Sequence, residues 1–176
     1  AMKQTFGLSD AALLHQYWQY ITTLFHGDLG VSLIYFPAPV SSVMLEGLLW
    51  TTILAGSSLV ISFVLGTCTG AWLAWRRDGL ADTVVPPLFS LIGAFPYFWM
   101  AMLTLSVFGF SLGWFPTRHS YQPGLEPSLS LSFLGSVLVH AFLPALTMVV
   151  ASVGGWLLSM RNTMITCLGT EYVHYA

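Results

Sequence analysis

The chain has 176 residues, of which 56% are hydrophobic and only 7% are charged. A soluble domain carries about 25% charged residues, so this composition excludes an ordinary water-soluble fold and predicts an all-α integral membrane protein. The net charge of -2 and a total of five lysines and arginines exclude a nucleic-acid-binding surface, which needs a basic stripe to neutralise phosphates.

Residues 1–46 predict an amphipathic helix followed by an ordered loop. Apolar side chains recur at helical spacing between Ser9 and His26, but the segment is too polar to span a bilayer. Its aromatic content is typical of a helix at the membrane interface, and the alternative is a surface helix packed on the protein. The loop is indicated by the helix breakers Gly27, Gly30, Pro37 and Pro39.

The first membrane helix is predicted over about residues 48–75, a stretch without any charged residue after Glu46. Gly66 and Gly70 form a GxxxG pattern within it. Small residues at this spacing allow two membrane helices to approach closely. We therefore expect Gly66 and Gly70 to lie at a helix–helix contact.

A second membrane helix is predicted over about residues 84–110. Arg76 and Arg77 precede it and place the connecting turn on the cytoplasmic side. Pro96 falls in mid-helix, where proline bends the helix and frees a carbonyl that needs another partner. The candidate lining of a water-filled path is therefore the segment PYFW, which consists of Pro96, Tyr97, Phe98 and Trp99. The alternative is a structural kink with no role in transport.

Residues 114–127 contain three prolines and a glycine after Phe115 and are expected to form a loop on the outer side, the outer loop. The uncharged stretch that follows it, residues 128–160, is too long for one straight span. His140 and Pro144 are expected to divide it into a short outer or re-entrant helix, Leu131 to His140, and a third span over 143–160. We expect His140 to be a hydrogen-bonded structural residue rather than a ligand or proton relay. Gly154 and Gly155 suggest a flexible point in this span.

Arg161 assigns the end of the third span to the cytoplasm, although Arg118 in the outer loop runs against the same rule. Gly169 is expected to end that helix, and Thr170 can cap a new one with Glu171 in its first turn. The residues that follow carry no stop signal, so we expect the sequence to be part of a longer protein; they are Tyr172, Val173, His174, Tyr175 and Ala176.

These segments resemble the permease subunits of binding-protein-dependent ABC importers, in particular the dipeptide, oligopeptide and nickel group. The match is carried by LPALTMVV and RNTMITCLGTEYVHYA near the end, by QYWQYITTLFHGDLGVS near the start, and by PYFWMAML between them. Glu171, Tyr172, Val173 and Ala176 match the opening of the group's cytoplasmic coupling helix. The resemblance covers almost the whole chain, in the right order.

The resemblance implies a type I ABC-importer permease fold, with residues 1–46 on the outer face and a transmembrane permease domain over 47–176. The coupling helix would begin at residue 170 and run through Glu171, Tyr172, Val173, His174, Tyr175 and Ala176. Such a permease pairs with a second, related subunit and docks on two cytoplasmic ATPase subunits, which bind the ATP and magnesium. An extracytoplasmic solute-binding protein delivers the cargo, expected to be a peptide, with an oligosaccharide or nickel as alternatives.

The resemblance also implies a multi-pass protein of a bacterial or archaeal cytoplasmic membrane that is a transport subunit and not an enzyme. The sequence agrees, since it shows no P-loop, no nucleophile–base pair, no metal-ligand cluster and no cofactor motif. An intramembrane enzyme or an ion-coupled carrier would need ionisable residues within the spans. Only His140 comes near one, and it lacks a partner in the sequence pattern.

Overall fold

The computed structural model describes residues 13–169. Within that range the chain forms helices joined by turns and loops: α1 Leu13–Phe25, α2 Val40–Trp75, α3 Leu80–Ala94, α4 Tyr97–Thr104, a π-helical segment Leu105–Ser111 that continues α4, and α5 Leu131–Leu168. Backbone contacts divide the chain into two compact units, Ala1–Thr52 and Ile53–Ala176, and the boundary falls inside α2.

The first unit contains α1 and the loop that follows it. No residue of α1 is buried, so its apolar side chains face outward. Gly27, with a φ of 82°, follows the end of the helix in a conformation that glycine adopts without strain. The loop is held by its own backbone: Ser32 donates to the Ala38 carbonyl and Val40 donates to the Gly30 carbonyl, each at 2.9 Å.

Two helices, α2 with 36 residues and α5 with 38, are long and apolar enough to cross a membrane. At about 1.5 Å per residue each exceeds 50 Å, against a hydrocarbon core of about 30 Å, so both extend beyond the apolar layer. Helix α3 also passes this test when it is joined to α4 and its π-helical extension. The two parts are bent by 93° at the break between them, as in a broken span or a re-entrant loop. The described chain therefore offers up to three membrane spans.

The break near Pro96 is sharper than the predicted kink. Helix α3 ends at Ala94, Phe95 is extended with φ -78° and ψ 134°, and Pro96 caps the start of α4. Proline has no amide hydrogen, and its ring disfavours helical geometry in the residue before it. These two effects together stop one helix and allow the next to start in a new direction.

The predicted division between His140 and Pro144 is wrong, because α5 runs without interruption from Leu131 to Leu168. Proline removes one backbone hydrogen bond, and here the Pro144 side chain is exposed while Leu143 and Thr147 are buried. The helix continues through Pro144 despite the missing bond, with buried residues on both sides of it. A membrane helix can extend beyond the bilayer surface, so the length of the stretch did not require a break.

The core of the second unit is built where α5 packs against α2, α3 and α4. Its least exposed large side chains are Leu73 of α2 and Leu157 of α5, both fully buried. Along α2 the buried residues Ser58, Ser62, Gly66 and Gly70 recur every four positions and form one narrow face of small residues. The serine hydroxyls bond to carbonyls of their own helix, so this face needs no outside polar partner.

Candidate functional site

The contact between α2 and α5 is close enough to require glycine. A Cβ atom added to Gly66 would lie 2.7 Å from the Val153 carbonyl oxygen, and one added to Gly70 would overlap the Leu157 carbonyl oxygen. Because the obstructing atoms belong to the backbone, they cannot move aside as a flexible side chain could. The two glycines of the GxxxG pattern thus lie directly on α5.

The contact between α3 and α5 depends on a third glycine. A Cβ atom on Gly154 would lie 3.1 Å from the Phe89 carbonyl oxygen, whereas one on neighbouring Gly155 would meet open space. Gly154 is buried, and Gly155 is exposed. Gly154 therefore serves a close approach of two helices, rather than the flexible point that its sequence suggested.

An ion pair joins the start of α3 to the last third of α5. The Arg161 guanidinium donates to both carboxylate oxygens of Asp82, with Nη2 at 2.7 Å from Oδ2 and Nε bonded to Oδ1. The Asp82 side chain is only 8% exposed and that of Arg161 22%. This bidentate arrangement fixes orientation as well as distance. It joins α3 to α5 at Arg161, which lies 14 residues, or about 21 Å along the helix, after Thr147.

The π-helical segment turns the chain back toward α5. Leu112 donates to the Val107 carbonyl at 2.9 Å, and Trp114 donates to the Phe108 carbonyl at 3.0 Å. Gly109 is buried in this segment, where an added Cβ would lie 2.8 Å from Cγ2 of Thr117. The wider π-turn and the missing side chain let the following loop fold against the helix, and such segments often occur at functional sites.

The loop after the π-segment is fastened to α5 at three points. The Phe115 ring stacks on that of Phe142, with centroids 4.9 Å apart. The rings of Tyr121 and Phe133 lie 5.1 Å apart. The backbone N–H of Gln122 donates to the Ser136 hydroxyl at 2.8 Å. The intervening residues Pro116 to Ser120 are thereby held beside α5.

A cavity of about 290 Å³ lies between α4, this loop and α5. We call it the Arg118 cavity; its lining residues are Tyr97, Ala101, Thr104, Leu105, Pro116, Thr117, Arg118, His119, His140, Leu143, Pro144 and Thr147. Thr104 of α4 and Thr147 of α5 share a hydrogen bond of 2.9 Å. The cavity thus combines apolar walls with a small number of polar groups, the usual composition of a small-molecule site.

The basic side chains of the Arg118 cavity come from the loop and from α5. His119 has a φ of 62°, a left-handed conformation that is uncommon outside glycine and is often retained at functional positions. His140 places Nδ1 2.8 Å from the Ser136 carbonyl oxygen. A carbonyl can only accept, so the His140 Nδ1 carries the hydrogen of this bond.

Of the four residues predicted to line a path, only Tyr97 lines the Arg118 cavity. Pro96 forms the break between the helices, while Phe98 and Trp99 are exposed and contact each other edge-on at 6.5 Å. The predicted coupling residues, Glu171, Tyr172, Val173, His174, Tyr175 and Ala176, lie outside the described residues. Residues 13–169 contain no group of three or more histidine, cysteine, aspartate or glutamate side chains placed to hold a metal ion.

Sequence reasoning missed the Asp82–Arg161 pair. It treated Arg161 only as a topology marker and did not assign a role to Asp82, which is 79 positions away along the chain. A signal was present: Asp82 is an acidic residue between a polar turn and an apolar run, where an uncompensated charge is costly. The Thr104–Thr147 bond had no comparable signal, since threonines are common in membrane helices.

Long apolar helices, a sharply bent helix pair and a cavity with polar groups are features of a multi-pass membrane protein. Residues 66–176 match the family described as the binding-protein-dependent transport system inner membrane component. That match covers most of the chain, so the chain belongs to this family. Membership confirms the resemblance read from the sequence, together with the all-α permease fold and the inner-membrane location.

Similar proteins extend the match toward the start of the chain. A protein named as a peptide transport system permease in Brucella abortus (strain 2308) is 33% identical over 168 residues, covering 95% of this chain and 51% of the relative. The dipeptide transport system permease protein DppB of Lactococcus lactis is 29% identical over 174 residues, covering 98% and 52%. The glutathione transport system permease protein GsiC of Escherichia coli (strain K12) is 35% identical over 136 residues, covering 74% and 42%. The chain spans about half the length of the curated relatives it matches.

Proposed function

We propose that this chain is part of a permease subunit of an ATP-driven importer and that it forms one side of the path for short peptides. The observation that carries the proposal is family membership over residues 66–176. Peptides are favoured over oligosaccharides or nickel because the similar proteins are named for peptide, dipeptide and glutathione transport. Within the chain, a polar cavity beside a broken span is consistent with a path for a polar solute.

The proposal includes partners that supply the energy and the cargo. A second, related permease subunit would complete the path, two cytoplasmic ATPase subunits would bind ATP and magnesium, and a solute-binding protein would deliver the peptide from outside. This chain would then perform no covalent chemistry. Its task would be to change between two packings of its helices when the ATPase subunits close.

Continuity of α5 gives a physical route for that task. The helix runs from the Arg118 cavity past the Asp82–Arg161 pair to its end at Leu168, immediately before the proposed coupling residues. Leu168 lies 21 positions after Thr147, which is about 32 Å of unbroken helix. A displacement at the coupling end would therefore reach the cavity as a movement of one rigid element.

The proposed side of the membrane follows from the same geometry. Arg76, Arg77 and Arg161 would lie at the cytoplasmic face, and the Arg118 cavity would open toward the outer face. Labelling of a cysteine introduced at position 77 by a membrane-impermeant reagent tests this in intact cells. We expect labelling only after permeabilisation. Labelling of intact cells would show that the topology is the reverse of the proposed one.

The proposed function is tested by measuring uptake into proteoliposomes that contain the assembled transporter. ATP is supplied on the side of the membrane that carries the ATPase subunits. We expect transport of a labelled tripeptide to depend on the binding protein and ATP, and a labelled oligosaccharide to be excluded. Glu171→Ala and Tyr172→Ala should lower peptide uptake while leaving cargo binding by the binding protein unchanged.

The matched control for these substitutions is Thr163→Ala. Thr163 lies in the last turns of α5, is exposed, and donates only to the Ser159 carbonyl of its own helix, at 2.9 Å. Its replacement should leave uptake near the wild-type level. Wild-type uptake in both the Glu171 and Tyr172 variants would refute the coupling role, and absence of tripeptide uptake by the unmodified transporter would refute peptide import.

A further inference from the structure

We propose that the Arg118 cavity binds the carboxyl-terminal end of a peptide in transit, with Arg118 pairing with the α-carboxylate. This inference rests on the proposed function and specifies the chemistry of the path. The guanidinium supplies a planar set of donors that matches a carboxylate. Among residues 13–169, no aspartate or glutamate lies within ion-pair distance of Arg118, since the ion pair found there joins Arg161 to Asp82.

The position of Arg118 runs against the topology rule and calls for a reason. Positive residues favour the cytoplasmic side of a membrane, yet this arginine occupies the loop at the opposite end from Arg76 and Arg77. The loop is held on α5 by the Phe115–Phe142 stack, which keeps Arg118 beside the cavity that it lines. A cation at the rim of a cavity attracts the anionic end of a solute.

The remaining lining fits the rest of a peptide end. The His140 Nδ1 donates to the Ser136 carbonyl, which leaves Nε2 as the ring nitrogen available to a polar group of the peptide. Leu105 and Leu143 supply apolar wall for a side chain. A volume of about 290 Å³ is at the lower limit for small-molecule sites and suits one end of a peptide better than a whole one.

Exposure of Arg118 is consistent with transit rather than storage. The side chain lies at an open rim, where water screens a carboxylate partner and keeps the interaction weak. A path must bind its solute well enough to admit it and weakly enough to release it. A fully buried arginine would hold the carboxylate too firmly for passage.

The test measures access to the cavity without requiring transport. In the assembled complex, with native cysteines removed, Thr117→Cys places a thiol on the cavity wall. The rates of labelling by an anionic and by a cationic thiosulfonate reagent of similar size are then compared. We expect the anionic reagent to be favoured, and Arg118→Gln to lower the anion-to-cation rate ratio by roughly tenfold, whereas Arg118→Lys retains most of it.

Trialanine and its carboxyl-terminal amide serve as the two ligands. Excess trialanine should slow labelling of the thiol, the amide should protect much less, and Arg118→Gln should remove the difference between them. Arg77→Gln, which removes an exposed arginine outside the cavity, should change neither measurement. Equal protection by acid and amide, no protection by either, or an unchanged rate ratio in Arg118→Gln each overturns the proposal.

These outcomes are separable from the proposed function. Uptake that requires ATP and the binding protein tests peptide import, whereas labelling of the cavity needs neither. Normal uptake with no carboxylate effect at position 117 would refute the cavity assignment alone. Carboxylate-dependent protection without ATP-driven uptake would refute the import mechanism alone. Protection by inorganic phosphate equal to that by trialanine would identify a general anion site and would also overturn a peptide-specific role.

Discussion

Replacing either member of the Asp82–Arg161 pair should loosen the contact between the start of α3 and the end of α5. The test uses Asp82→Asn, which keeps the side-chain size, Arg161→Gln, which replaces the charged guanidinium with a shorter neutral amide, and the double variant. Each single change leaves one charge without its partner in a site where the carboxylate is only 8% exposed. The double change removes both charges and therefore leaves no unpaired charge in the site.

The magnitude follows from the geometry of the pair. An exposed ion pair contributes roughly 0–1 kcal/mol, and breaking a fully buried pair costs about 3–5 kcal/mol. The Asp82–Arg161 pair lies between these limits, with two charge-assisted hydrogen bonds and a guanidinium that is 22% exposed. We therefore expect each single variant to lose about 2–3 kcal/mol.

The assay is thermal unfolding of the purified complex in detergent, followed by loss of the monodisperse peak on size exclusion. The double variant should lose no more than either single variant, giving an interaction energy of at least about 2 kcal/mol. Arg77→Gln, the same substitution at an exposed arginine, should change stability by less than about 0.5 kcal/mol. Additive losses, or single variants indistinguishable from wild type, would refute the assignment of this pair as a link between the helices.

Three further substitutions test the helix contacts by the same unfolding assay. Gly70→Ala should destabilise by about 1–3 kcal/mol because the new methyl group meets a backbone carbonyl, whereas Gly56→Ala enters open space and should be neutral or slightly stabilising. Gly154→Ala should cost about 1 kcal/mol through contact with the α3 backbone, and Gly155→Ala next to it should not. Thr147→Val should cost roughly 0.6 kcal/mol by removing its hydrogen bond to the threonine on α4. Equal melting temperatures within either glycine pair, or no loss for the valine variant, would contradict these contacts.

Local chain properties were predicted well because they depend on neighbouring residues alone. The uncharged stretches predicted the apolar helices, Gly169 was expected to end the last one, and Pro96 to disturb the second. The family resemblance also came from local motifs and was confirmed by the match over residues 66–176. By contrast, the break predicted at Pro144 was wrong. Whether a proline interrupts a helix depends on what packs around it, and no local sequence pattern contains that information.

Membrane class, family and the approximate helices were determined by the sequence itself, because charge content, apolar run length and short motifs are properties of consecutive residues. Tertiary structure decided which polar residues meet. Asp82 pairs with Arg161, 79 positions later in the chain, and Thr104 hydrogen-bonds to Thr147, 43 positions later. The fold also places Arg118 of the loop at a cavity beside α5. Such pairings depend on the rotation of each helix and on how closely glycines let the helices approach. Both quantities are set by packing in three dimensions.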